Sequence, residues 1–365
     1  MKYQNVQTEM QNMLDEVTQN GREKGIQLAV YLKGELVVNA CSGVADTETK
    51  VPVTEETLFP SFSVTKGISA TLLHILADRG MLDYEQKICE IWPDFAKCGK
   101  ENITVRQALD HTAAVPHLPE KLTNAELNNW EYMCRLMEDT KPLWAAGELQ
   151  EYHAITYSFT VGRIIELVSK KTIAELLKTE ICEPLGVKMF IGIPEELIDT
   201  LPIAAIYEPG FDKNNLNGNG IITIPECCMS MSDWINKKET LKACLPGVGG
   251  VFNALSLARH YAALLPGGAD GISLLSEARV KEAKTVSSTR VMPDGTSYFG
   301  LGYGVGGYNG RKSIFGHGGY GGSMTYADSL HDFAVGLTKN YIHAGSAEME
   351  IIRAVMRKLN IPVDF

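Results

Sequence analysis

Ser63 and Lys66 stand three residues apart in Ser63-Val64-Thr65-Lys66. On a helix that spacing sets one side chain above the other on a single face. A lysine amine held beside a serine hydroxyl can take its proton, which is what a weak oxygen nucleophile needs to attack an acyl carbon. S-x-x-K is short enough to arise by chance in 365 residues, so its surroundings must carry the argument.

Those surroundings favour chemistry. Val51 to Phe62 holds prolines, threonines and short apolar pieces, and reads as a loop. From Ser63 onward apolar residues recur at helical spacing (Ile68, Leu72, Leu73, Ile75, Leu76) until Gly80. Ser63 thus falls at the first turn of a helix, where backbone N–H groups lack intrahelical partners. The plain alternative is a capping serine followed by a solvated lysine. A cation is the wrong charge for a helix N-terminus, which weakens that alternative.

Two further segments carry candidate chemistry. Tyr152-His153-Ala154 precedes an amphipathic stretch, and a tyrosine there becomes a base if cations depress its phenol. Its alternative is a ring packed over the helix start, capped by Thr156. His317-Gly318-Gly319-Tyr320 lies in a run so rich in glycine that backbone N–H groups can approach a substrate closely. Gly302 to Gly307 satisfies G-x-G-x-x-G, but no helix follows and no βαβ unit surrounds it, so a dinucleotide site is rejected. No G-x-S-x-G elbow occurs. His111, at a helix end beside Asp110 and Thr112, reads as structural.

The elements that must position these residues are legible in outline. Ile26 to Tyr31 and Glu35 to Ala40 form a hairpin about Lys33-Gly34. Helical spacing runs through Met1 to Gly25, Ser63 to Gly80, Thr104 to His111, Leu122 to Glu138, Thr156 to Lys170, Thr172 to Glu180 and Phe252 to Leu265. Tyr298 to Val305, Ser313 to His317, Ser323 to Asp328 and Phe333 to Asn340 read as antiparallel strands, closed by a helix over Ser346 to Leu359. The first hairpin is expected to join the late strands in one sheet. This gives an α+β chain of one catalytic unit, with an α/β lobe of about 1–69 and 246–365 and a mainly helical lobe of about 70–245. The loop Gly210 to Gly220 is expected to help shape the pocket between them.

Composition excludes several classes. The chain is 45% hydrophobic and 21% charged, the balance of a globular protein. A net charge of −10 without a Lys/Arg cluster argues against nucleic acid or an anionic membrane as partner. No apolar run reaches transmembrane length. Eight scattered cysteines without a C-x-x-C, and no apolar leader, read as reduced thiols in a cytoplasm. No Cys/His cluster has zinc spacing, so neither metal nor other cofactor is called for.

Taken together the segments resemble the serine β-lactamase and penicillin-binding-protein superfamily, in the branch of class C β-lactamases, D-alanyl-D-alanine peptidases and β-lactamase-like carboxylesterases. Phe59 to Lys66 resembles the nucleophile segment. Ile103 to Thr112 is similar to the family's ITVRHLLTHTSG stretch, Pro246 to Phe252 to its GGLFST turn, Tyr152-His153-Ala154 to Y-x-N, and His317-Gly318-Gly319 to K-T-G or H-T-G. The resemblance implies a β-lactamase/transpeptidase-like fold, an antiparallel sheet flanked by helices with a helical lobe. It implies Ser63 as acylated nucleophile, Lys66 and Tyr152 as a coupled base, and the N–H groups of Ser63 and Tyr320 as oxyanion hole, with His317, Gly318 and Gly319 beside the substrate. By strict spacing His153 is the alternative for the tyrosine's place.

Ala154 stands where the family has Asn, and His317-Gly318 where it has Lys-Thr. Both departures weaken recognition of a lactam's amide and carboxylate, and point toward carboxylic esters as the small-molecule substrate. A β-lactamase or D-alanyl-D-alanine carboxypeptidase, an acyltransferase, and a silent binding module remain as alternatives. The oligomeric state is not readable.

Overall fold

The computed structural model describes residues 3–210, 220–292 and 295–363. Its main sheet has eight strands: β1 (Gly25–Leu32), β2 (Glu35–Gly43), β6 (Ser288–Met292), β7 (Gly295–Phe299), β8 (Gly304–Tyr308), β9 (Arg311–Gly318), β10 (Met324–Asp328) and β11 (Phe333–Lys339). Their order is β2-β1-β11-β10-β9-β8-β7-β6, antiparallel throughout. The early hairpin therefore joins the late strands, with Ile26 opposite Lys339 and Leu32 opposite Phe333. A second, small sheet orders β3 (Phe59–Pro60), β5 (Gly250–Phe252) and β4 (Met189–Ile191).

Every residue of β1 is buried. An antiparallel strand usually alternates apolar and polar because one face meets water; here both faces are covered, so both are apolar. On one face, α1 (Gln4–Gln19) and the helix Glu348–Lys358 pack Met10, Leu14, Ile351 and Val355 against Ile26, Leu28 and Val30. On the other lies the helix Ala254–Ala262, so close that a Cβ on Gly336 of β11 would meet the Ala254 carbonyl at 2.3 Å.

The helix α2 (Val64–Asp78) is buried over its whole length as far as Ala77, which suits its apolar residues on every side. It packs against the helix Thr156–Ser169 and against β9. The two candidate site residues at its start are thereby held by packing on all sides rather than by local propensity.

Three expectations change in detail. The helical stretch Leu122 to Glu138 divides into Asn124–Leu127 and Trp130–Asp139, because Thr123 and Asn129 each accept a capping hydrogen bond and start a helix of their own. The strand expected over Tyr298 to Val305 is two strands, β7 and β8, with a turn between. Gly302 in that turn has φ +79°, and a Cβ there would meet Ala70 Cβ at 2.4 Å and Tyr157 Oη at 2.9 Å. The glycines of the G-x-G-x-x-G pattern thus shape a tight turn against α2. The small sheet escapes periodicity because its strands are two or three residues long.

Candidate active site

The strand β3 delivers the chain into α2 through Phe62, whose φ of +49° is unusual for a bulky residue. Ser61 N–H donates to Gly250 O at 2.9 Å, fixing the entry. The strained turn brings Ser63 to the N-terminus of α2 with its backbone already near helical (φ −66°, ψ −8°) and its side chain making no capping hydrogen bond. Its hydroxyl is thereby left to other partners, a feature that fits stored strain at a functional position.

Lys66 is fully buried. Its Nζ lies 2.7 Å from Ala154 O, 2.8 Å from Gly247 O and 3.2 Å from Ser63 Oγ. Burial holds its amine well below the usual lysine range. A neutral amine has two protons and one lone pair. With the two carbonyls taking two directions of the nitrogen, its third faces Ser63 Oγ, where the amine presents its lone pair once it is neutral.

Tyr152 sits beside this pair, with Lys66 Nζ 4.8 Å from the centre of its ring. Burial raises its phenol above the usual tyrosine range, and a hydrogen bond with the Ser63 side chain works weakly the other way. Burial outweighs any depression by a neighbouring cation, so the phenol is not lowered as a base would need. The loop before Tyr152 is held by an ion pair between Glu151 and Arg290 of β6 at 2.7 Å, and its ring rests 4.6 Å from that of His111.

His153 points elsewhere. Its Nδ1 donates to Glu151 O at 2.7 Å and its Nε2 accepts Val115 N–H at 3.2 Å, which occupies both ring nitrogens in a neutral ring. Burial pushes its pKa down to about 4, with the Glu151 carbonyl working against that shift. The backbone N–H of His153 donates to His111 Nδ1 at 3.2 Å, so His111 and His153 together brace the Tyr152 loop.

The third wall comes from the end of β9. His317 Nδ1 lies 2.7 Å from Gly318 O, a carbonyl that only accepts, so Nδ1 carries the proton. The Nε2 lone pair is left facing Tyr152 Oη at 3.5 Å. Burial, then the nearby Lys66, pushes His317 down to about 3. Gly319 is needed for close approach: a Cβ there would stand 2.3 Å from Ser61 O. Its N–H donates to Ser323 O at 2.7 Å, which closes the turn that carries Tyr320. Among the described residues, neither the Ser63 nor the Tyr320 backbone N–H donates to a protein acceptor.

A cavity of about 380 Å³ opens onto Ser63, Tyr152, His317, Gly318 and Tyr320. Its remaining walls are Phe62, Ala154, Ile155, Thr223, Ile224, Met231, Trp234 and Val248. The structure thus gathers Ser63, Lys66, Tyr152, His317, Gly318, Gly319 and Tyr320 in one place and leaves His153 behind the loop. Within the expected loop Gly210 to Gly220, residues 211–219 lie outside the described residues. Sequence reasoning missed the Gly247 carbonyl and the apolar wall of Ile224, Met231 and Trp234, neither of which has a motif. Among the described residues no cluster of His, Cys, Asp or Glu could hold a metal ion.

The family profile named Beta-lactamase matches residues 10–354. This chain belongs to the beta-lactamase family. It is similar to the esterase/beta-lactamase LipL of Mycobacterium tuberculosis, at 31% identity over 87% of this chain and 77% of that one. Among solved structures it resembles a penicillin-binding-protein homologue from Caulobacter crescentus, with a TM-score of 0.83, 27% identity, and 96% of each chain covered. It also shares the fold of a family VIII carboxylesterase, with a TM-score of 0.85 at 24% identity over 96% of this chain and 97% of that one. By family the chain is a serine hydrolase with the β-lactamase/transpeptidase fold. Among its described residues no helix is long and apolar enough to cross a membrane.

Proposed function

We propose that this chain cleaves carboxylic esters through an acyl-enzyme on Ser63. The observation that carries the reading is Lys66 Nζ held 3.2 Å from Ser63 Oγ by two carbonyls at 2.7 and 2.8 Å, which leaves the nitrogen's remaining direction to the hydroxyl. Ser63 Oγ attacks the ester carbonyl carbon while Lys66 takes its proton. The developing oxyanion accepts the N–H groups of Ser63 and Tyr320, which have no competing acceptor among the described residues. The carbon–oxygen bond to the alcohol then breaks, and the proton returns to the departing oxygen through the Lys66–Tyr152 pair. Water repeats the sequence on the acyl-enzyme and restores the Ser63 hydroxyl.

Tyr152, kept protonated by burial, is suited to hand a proton to the leaving oxygen and to recover it from Lys66. The two act as one coupled unit. An ester is favoured over a β-lactam because a neutral His317 holds a substrate carboxylate poorly, and Ala154 offers the site only its backbone carbonyl, already given to Lys66. We further read residues 1–365 as one catalytic unit, with 1–69 and 246–365 around the sheet and 70–245 mainly helical. Eight unpaired cysteines favour a reducing cytoplasm.

The test is hydrolysis of a short-chain nitrophenyl ester beside a chromogenic cephalosporin, with wild type and Ser63→Ala. Ester turnover lost in Ser63→Ala, with little cephalosporin turnover, supports the reading. Fast Ser63-dependent cephalosporin turnover favours the β-lactamase alternative instead.

A further inference from the structure

Two side chains of the cavity wall, His317 and Tyr320, present acceptors rather than donors. Among the described residues, none that lines the cavity is a lysine, arginine, aspartate or glutamate. His317 faces Tyr152 with a lone pair, since its proton is spent on Gly318 O. Tyr320 does the same from the other side. Its hydroxyl donates to Glu208 Oε1, so its oxygen keeps only lone pairs for anything else. Glu208 is half-buried, and its second oxygen accepts Ser232 N–H at 3.3 Å, from the helix Met231–Ile235 that supplies the apolar wall. A fixed carboxylate therefore stands one hydrogen bond behind the cavity wall, and among the described residues no lining cation offsets it.

We propose that Glu208 makes this a charge-selective site, which takes acyl donors bearing an ammonium group in preference to isosteric donors bearing a carboxylate. This rests on the ester-hydrolase reading above. Lone pairs at His317 and Tyr320, with a carboxylate behind the latter, stabilise a positive group in the cavity and repel a negative one. A charge felt across a tyrosine ring at an effective dielectric near ~20 changes relative rates by about tenfold or more. The chain's net charge of −10 adds a diffuse bias of the same sign, which the local variant leaves nearly unchanged.

The experiment compares three nitrophenyl esters of similar size: trimethylammonio-butanoyl, neutral dimethylhexanoyl and glutaryl. In low salt the wild type should give a kcat/KM for the cationic ester at least about tenfold above that for the anionic one. Glu208→Gln keeps an acceptor for Tyr320 but removes the charge, so that ratio should fall severalfold. Raising salt to about 1 M, where the screening length is about 3 Å, removes the diffuse bias of the net charge and leaves the half-buried Glu208 share of the ratio. A wild-type ratio near one, or a ratio that Glu208→Gln leaves unchanged, overturns the proposal. Should Glu208→Gln fail to fold, Glu208→Met, uncharged and of similar size, takes its place under the same two outcomes. Turnover of the neutral ester that does not depend on Ser63 overturns the ester-hydrolase reading, and the charge selectivity with it.

Discussion

Lys66 Nζ lies 3.2 Å from Ser63 Oγ, with the carbonyls of Ala154 and Gly247 filling its other two directions. Ser63 stands at the N-terminus of α2, and the two carbonyls come from the Tyr152 loop and from the turn before β5. Parts of the chain remote in sequence thus converge on one nitrogen, and the charge of that nitrogen decides whether the site can act.

Removing the amine removes the base. Lys66→Ala should lower kcat/KM by about 10²–10⁴-fold, and steady-state ester kinetics measure it. The wild-type pH profile follows from the same geometry. Lys66 acts when deprotonated, so activity rises with pH through its ionisation. Burial depresses that ionisation, which puts the rising limb well below the usual lysine range of about 10.4. A rising limb centred near pH 10 would place a charged Lys66 in the resting site and contradict the assignment.

Tyr152 and His153 are separated by what their side chains touch. Tyr152→Phe removes the phenol beside Ser63 and should cost about 10²–10⁴-fold in kcat with little loss of stability. His153→Ala breaks the bonds to Glu151 O and Val115 N–H and should lower the melting temperature, with a smaller loss in kcat. If His153→Ala proves the more damaging to kcat in folded protein, the two roles are exchanged.

Adjacent glycines in the turn after β9 should respond differently. A Cβ on Gly319 meets Ser61 O at 2.3 Å, whereas one on Gly318 meets nothing within 4 Å. Gly319→Ala pushes the Tyr320 N–H away from Ser63, and a lost oxyanion donor costs roughly 10²–10³ in kcat. Gly318→Ala should retain most of the activity. Equal effects in parallel assays would remove the Tyr320 N–H from the oxyanion hole.

Buried neutral histidines set the acid limit of the fold. Burial pushes His74 and His260 down to about 3 and His153 to about 4, and neither ring nitrogen of His260 has a partner among the described residues. Between these values and the unfolded pKa of about 6.5, the unfolded chain binds more protons than the native one. Stability is therefore full above about pH 6.5 and falls as pH drops toward 4, by at most roughly 1.4 kcal/mol per pH unit for each such histidine. His260→Leu should flatten the fall in melting temperature between pH 7 and 5, and an unchanged slope would mean that His260 titrates normally.

Much of the framework could be read from the residues because it rests on local rules. The hairpin about Lys33-Gly34 announced β1 and β2, and the apolar spacing after Ser63 announced α2. That the hairpin joins the late strands is the simplest packing, while the register, with Ile26 opposite Lys339, is set by the folded sheet. What stayed hidden depends on backbone atoms or on distant packing. The Gly247 carbonyl reaches Lys66 from 181 residues away and has no side chain to betray it. Trp234 and Met231 look like ordinary core residues of a short helix, and only the folded chain turns them toward Ser63. Burial raises the Tyr152 phenol where a neighbouring cation is expected to lower it, and the same burial lowers the Lys66 amine.

The central claim is that Ser63 carries the acyl group. Rapid quenching of the enzyme during turnover of a nitrophenyl ester, followed by mass spectrometry of the peptide holding Ser63, tests it most directly. The account predicts a mass increase equal to the acyl group on Ser63, a burst of nitrophenol matching the enzyme concentration, and neither in Ser63→Ala. Turnover with Ser63 unmodified and no burst, or an adduct that persists on another residue in Ser63→Ala, would contradict it.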